Sequence, residues 1–210
     1  GFRFEGNREE WVIQWARQWQ ADAIIGRWDD SKMDLLNQLD IPVVLQNNRS
    51  RSGVFSNLTG DYDGTGRMAA QYFRKKLFEN YAFFGIKDII WSEERCKGFQ
   101  DEVIRNGGRF HSYAEPIEGD DREKIIEWLK SLPKPVALFC CDDAHALFIT
   151  EICKVTGIRI PEDIAILGVD DDELLCSISD PPISSMDMDV ENGGYTCCRM
   201  LHERLLAGSQ

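Results

Sequence analysis

"VALFCCDDAHALFITEICKVTGIRIPEDIAILGVDDDELLCSISDPPISSM", residues 136–186, decides the fold. It holds two short apolar runs, Val136–Cys141 and Ile164–Val169, on either side of a helical period. Neither run alternates with polar residues, which is how strands read when both faces of a parallel sheet are covered. The helix between them opens at Asp142–Asp143 and closes at Gly157. Carboxylates favour the amino end of a helix, and glycine takes the left-handed turn that ends one. Asp170, Asp171 and Asp172 then stand in a row. Adjacent like charges repel, so the three must be solvated, cap a turn or grip a ligand. The Pro181-Pro182 turn leads into a further strand, "ISSM". It is either an ordinary rigid loop or a stiff crossover between lobes.

Outward from this stretch the same alternation of strand and helix continues. "ADAIIG", "IPVVLQN" and "YAFFGI" read as strands; "DDSKMDLLNQL", "GTGRMAAQYFRKK", "EERCKGFQDEVIRNG", "DDREKIIEWLKSL" and "ENGGYTCCRMLHERLLAG" read as helices. Asp61 or Asp63 is the expected cap of the second of these, and Ser92 of the third. "REEWVIQWARQWQ" places Trp11, Val12, Trp15 and Trp19 on one broad helical face, a core or dimer-face stripe. The class is α/β, doubly wound.

The 210 residues suit one medium domain or two small lobes. A net charge of −12 argues against a nucleic-acid clamp, which needs clustered Lys and Arg. No apolar run approaches about 20 residues, so no membrane partner is expected. The seven cysteines form no Cys-x-x-Cys pair, and His111, His145 and His202 are scattered, so neither a disulfide framework nor a zinc site is expected. Reduced thiols in a cytoplasmic protein are the expected state. "GDYDGTG" lacks the lysine of a phosphate loop, and no Ser-His-Asp set is apparent. No enzyme activity and no cofactor are therefore expected.

In doubly wound folds, ligands sit beyond the carboxyl ends of strands. Those positions carry Trp28, Asn47, then Trp91, Glu94 and Arg95 after a loop, then Asp142–Asp143, and Asp170. Carboxylates accept from hydroxyls, arginine donates a rigid fork, and indoles stack on C–H faces, as a polyhydroxylated ligand requires. Each has a plainer reading: Asp143 as a helix cap, Arg95 as a surface partner of Glu94, Trp28 and Trp91 as packing, Asn47 as a turn residue. Asp171 and Asp172 read as solvated or capping residues, and His145 as structural.

Asp143-x-x-Ala146, Gly157, "IPEDIAILGVDD", the proline turn before "ISSM", and the earlier Arg95-x-x-Gly98-Phe99 together resemble the effector-binding domain of LacI/GalR-type transcription regulators. "WSEER" and "GVDDDELL" are most similar to the LacI-like sensor of AraC-type xylose-operon regulators. The resemblance implies a two-lobed, periplasmic-binding-protein-like type I fold with a doubly wound parallel sheet in each lobe. It places residues 1–86 and 183–210 in an N-terminal lobe and 87–182 in a C-terminal lobe. It also implies that the first strand and helix of the family pattern are absent, with "FRFEG" ending the second strand. The implied ligand is a small sugar, a pentose such as xylose, contacted by Asp143, Asp170, Arg95, Trp91, Glu94, Trp28 and Asn47. The implied partners are a second copy in a homodimer, and DNA only through a separate helix-turn-helix domain absent from this chain. A sugar-transport receptor and a glycoside-acting enzyme are the rival readings.

Overall fold

The structure is a computed structural model that describes residues 8–28, 30–47, 49–115 and 121–208. The segment "FRFEG" lies outside them. The chain divides into two compact units, residues 1–59 with 189–210, and residues 60–188.

The first unit contains α1 (Arg8–Gln18), β1 (Ile24–Gly26), a short 3-10 turn (Asp30–Lys32), α2 (Met33–Leu36), β2 (Val43–Leu45), β3 (Ser56–Asn57) and α8 (Val190–Gly208). Its three strands are parallel, in the order β1-β2-β3. Val43 and Leu45 pack on Ile13 and Leu36, while Val44 between them packs on Cys197 and Leu201 of α8. Alternate residues of one strand thus serve helices on opposite faces, so "VVL" is apolar throughout.

The second unit contains α3 (Tyr62–Lys75), β4 (Asn80–Ile86), α4 (Ile90–Arg105), β5 (Arg109–Glu115), α5 (Arg122–Ser131), β6 (Val136–Cys140), α6 (Asp143–Thr156), β7 (Ile164–Val169), α7 (Glu173–Ile178) and β8 (Ser184–Met186). All five strands are parallel, in the order β5-β4-β6-β7-β8. Val136, Leu138 and Cys140 face one core with Ile125, Leu129 and Ile149. Ala137, Phe139 and Cys141 face the other, with Phe73, Phe99 and Val103. Both faces are apolar and dry, as the unbroken sequence runs imply.

The units divide elsewhere than at residues 86 and 182. β4 is hydrogen-bonded to both β5 and β6, and α3 lies against α4, so residues 60–86 belong with the second sheet. β8 pairs with β7 in that sheet, so the Pro181-Pro182 turn lies inside the second unit and not at its boundary.

Two glycines let α3 and α4 meet backbone to backbone. A Cβ on Gly66 would stand 2.1 Å from the Arg95 carbonyl oxygen, and one on Gly98 2.0 Å from that of Asp63. No side chain could stand aside to relieve either contact. The Arg95-x-x-Gly98-Phe99 spacing therefore couples helix packing to the placement of Arg95. Ser92 does not cap α4, which begins at Ile90; its hydroxyl accepts the Ile86 N–H at 2.9 Å and closes the β4–α4 loop. Asp61 is the cap of α3, through the Gly64 N–H.

Trp11 on α1 and Trp19 just past its end are 43% and 70% exposed; the Trp11 ring meets Trp15 edge-on and Trp15 stacks on Trp19. The stripe is not core.

Candidate functional site

Arg95 lies 3% exposed on α4, at the carboxyl ends of β4, β6 and β7. One terminal nitrogen donates to the Cys141 carbonyl just past β6, and the other pairs with Asp170 Oδ1 at 3.3 Å, just past β7. The guanidinium lies 5.4 Å from the Tyr62 ring centre and 5.2 Å from that of Trp91. Two aromatic contacts and two polar ones hold the fork in place. Its Nε–H, though buried, has no hydrogen-bond partner among the described residues. A buried donor without a partner is uncommon, which marks this one out.

Asp170 is the exposed half of this pair, with half of its side chain open to solvent. Burial pushes its carboxyl above the usual range; the Arg95 charge opposes this, and the Asp142 and Asp143 charges add to it. Its backbone is left-handed, φ 106°, followed by Asp171 at φ 52°. Such angles are costly for residues with a side chain and concentrate where a site needs a particular direction.

The two acids after β6 divide their work. Asp142 is the cap of α6: its Oδ1 accepts the His145 N–H at 2.7 Å and lies 2.6 Å from the His145 ring Nδ1. Burial alone would raise its carboxyl, but the His145 hydrogen bonds and charge, with Arg95, outweigh it and hold the group below its ordinary value. Asp143 is 1% exposed and turned inward. Its Oδ1 accepts the Ser185 hydroxyl at 2.6 Å and its Oδ2 the Asp172 N–H at 2.8 Å. Burial pushes it up, against the hydrogen bonds from Ser185, Asp172 and Cys176. Its space exists because residue 168 is glycine: a Cβ there would stand 2.1 Å from Asp143 Oδ1.

The row of three aspartates is thereby resolved. Asp170 faces the Arg95 fork, Asp171 makes the turn with its N–H on the Ser185 oxygen at 3.0 Å, and Asp172 caps α7 through the Leu175 N–H.

The second unit thus brings Arg95, Trp91, Asp170 and Asp143 together, with Asp143 beneath the others. Glu94 is the partly buried neighbour of Arg95 on α4; the buried arginine itself is engaged by Asp170. Trp28 and Asn47 stand past β1 and β2 in the first unit, where the Trp28 N–H reaches Asn47 Oδ1 at 2.9 Å and the Trp28 indole N–H reaches the Lys32 carbonyl at 2.9 Å. Tyr62 and Ser185 are not singled out by the sequence; Asp142 stands there beside Asp143 at a strand end, and His145 reads as structural. Asp142 carried a signal, its place directly after a buried strand; Ser185 carried none.

Cys141, Asp142 and His145 place a sulfur, a carboxylate oxygen and a ring nitrogen within 4.8 Å of one another. The set fits a metal poorly. Burial pushes the Cys141 thiol far up, the amino end of α6 is electropositive, and the Arg95 guanidinium touches the Cys141 carbonyl. The arrangement offers instead rigid donors, half-exposed acceptors and an indole wall, with more carboxylates than cations.

These features define a two-unit parallel α/β protein whose second unit carries a polar cluster at its strand ends. The chain belongs to the periplasmic binding protein-like domain family, whose model matches residues 70–210. It is 27% identical over 202 residues to the xylose operon regulatory protein of Haemophilus influenzae, covering 90% of this chain and 52% of that protein. It is 36% identical over 212 aligned positions to the transcriptional repressor PurR of Aliivibrio salmonicida, covering 95% of this chain and 62% of the repressor. Among solved structures, the xylose-binding transcription activator XylR superposes with a TM-score of 0.78 at 22% identity, over 99% of this chain and 63% of that one. The chain spans about half the length of the xylose regulators it matches. No helix among the described residues is long and apolar enough to cross a membrane.

Proposed function

We propose that this chain is the carbohydrate-sensing effector module of a transcription regulator, with a neutral sugar, a pentose such as xylose first among them, held by Arg95 and Asp170. The observation that carries the reading is the buried Arg95 fork, fixed on three sides, with one N–H unused beside a half-exposed carboxylate. A vicinal pair of hydroxyls matches it, since a hydroxyl can accept from the arginine and donate to the aspartate. Trp91 supports the fork and offers its remaining surface to ring C–H groups. Asp142 adds an acceptor, while Asp143 serves from beneath. Glu94 is assigned as a further contact by its place beside Arg95 on α4, and calorimetry on Glu94→Gln tests it; Trp28 and Asn47 are assigned only as strand-end positions of the first unit.

Three carboxylates against one guanidinium make an anionic ligand costly to place here. The relatives' names point the same way, two of the three naming xylose. Ligand occupancy is coupled to DNA contact by a separate helix-turn-helix domain in a homodimer, for which a coupling of about 1–3 kcal/mol suffices. Calorimetric titration with neutral pentoses and hexoses beside the matching sugar phosphates tests the ligand class. Saturable heat with a neutral sugar and none with its phosphate is the expected result; preference for the phosphate would overturn it.

A further inference from the structure

We infer that Asp143 and Ser185 are positioning residues that hold Asp170 in its left-handed turn against Arg95. The inference rests on the proposed role of Asp170 and adds the device that aims it. Two consecutive residues with side chains, Asp170 and Asp171, sit at φ 106° and 52°. Aspartate tolerates the left-handed basin at which Asp171 sits, but φ 106° at Asp170 lies outside that basin, so the surroundings must hold it there. The surroundings are one hydrogen-bonded chain that runs from buried Asp143 through half-buried Ser185 to the exposed turn. Asp143, on α6, accepts from the Ser185 hydroxyl with one oxygen and from the Asp172 N–H with the other. Ser185, on β8, accepts the Asp171 N–H in turn. The Asp170 N–H continues the sheet by donating to the Met186 carbonyl at 2.9 Å. The backbone N–H groups of residues 170, 171 and 172 are therefore each pinned, two of them through this pair.

The pair is itself well placed. Asp143 is nearly sealed from water and fills the notch left by Gly168, and Ser185 is register-paired with Gly168 across the β7–β8 ladder. A buried carboxylate costs free energy unless its oxygens are satisfied. Here one partner, the Asp172 N–H, comes from the turn it orients, so relaxation of the turn costs Asp143 that hydrogen bond. Turn geometry and burial lock each other.

The test uses Ser185→Ala, Ser185→Thr and Asp143→Asn with two readouts on the 210-residue chain. The first needs no sugar: the titration of the Asp170 carboxyl, followed by carbon-detected NMR against Asp170→Asn. In Ser185→Ala the turn loosens, Asp170 moves toward water, and its midpoint falls toward the ordinary carboxylate range; Ser185→Thr, which keeps the hydroxyl, restores the parent value. The second is affinity for D-xylose, expected to weaken about three- to tenfold in Ser185→Ala and to recover in Ser185→Thr. An Asp170 titration unchanged in folded Ser185→Ala overturns the inference. If the parent chain takes up no D-xylose or other neutral sugar, the ligand reading fails, and the titration still decides the positioning role. Asp143→Asn is read the same way where it folds, and Ser185→Ala decides the question where it does not.

Discussion

Alanine at Gly98 should separate the two helices that place Arg95. The new Cβ would stand 2.0 Å from the Asp63 carbonyl oxygen and 2.8 Å from its carbon, both backbone atoms. An ordinary contact is about 3.4 Å, so α3 and α4 must part by more than an ångström locally or bend. Overpacking of this kind costs typically about 1–3 kcal/mol, and a backbone-on-backbone clash belongs at the upper end. Replacing a helical glycine by alanine returns about 1 kcal/mol through backbone entropy. The clash wins, leaving a net loss of about 2 kcal/mol and a fall in Tm of roughly 4–8 °C for a chain of this size. Gly194→Ala is the control: it lies within α8 with no atom within 4 Å of its would-be Cβ, so only the entropic gain applies and Tm should rise slightly. Differential scanning fluorimetry measures both. A Gly98→Ala protein as stable as the parent would refute the close-crossing argument, and with it the stated reason for the Arg95-x-x-Gly98 spacing.

Stability should depend on pH through Asp143 and Asp170. Both carboxyls are raised, mainly by burial, so the folded chain keeps protons that the unfolded chain has released. Stability therefore falls as pH rises from the ordinary aspartate range through the raised midpoints, and urea midpoints in Asp170→Asn should flatten that slope. Asp163 runs the other way. Hydrogen bonds from the Arg159 side chain and backbone bring its carboxyl down to about 2, so its contribution is complete above the ordinary aspartate range and is lost as pH falls toward 2. NMR titration of Asp163 checks this, and Arg159→Ala should return it to the usual range. Native thiol labelling should modify Cys198 first, since it is exposed, while Cys140, Cys141 and Cys153 are fully buried and react only on unfolding; a slow Cys198 would contradict this.

The strand the sequence makes most legible is one covered on both faces. Val136–Cys140 is buried at every position, and its unbroken apolar run says so. β5 escaped because it is the sheet edge: "RFHSYAE" mixes Arg109, His111 and Glu115 into a strand paired on one side only. α7 escaped because it is six residues long with none buried. The site shows the same limit. Arg95 and Asp170 could be placed from strand ends and loop length. Which of Asp142 and Asp143 faces solvent depends on the phase of the first helical turn, and a one-residue shift exchanges their roles. Ser185 matters only through a tertiary contact 42 residues from Asp143, which no local pattern encodes.

Calorimetric titration of the parent chain, Arg95→Met and Asp170→Asn with D-xylose and its neutral relatives tests the central claim most directly. A charge-assisted hydrogen bond contributes about 1.5–3 kcal/mol, so each variant should weaken binding by roughly tenfold to a hundredfold while still folding. Equal heats in all three proteins, or no neutral sugar bound by the parent, would contradict the assignment of Arg95 and Asp170 as the sugar clamp.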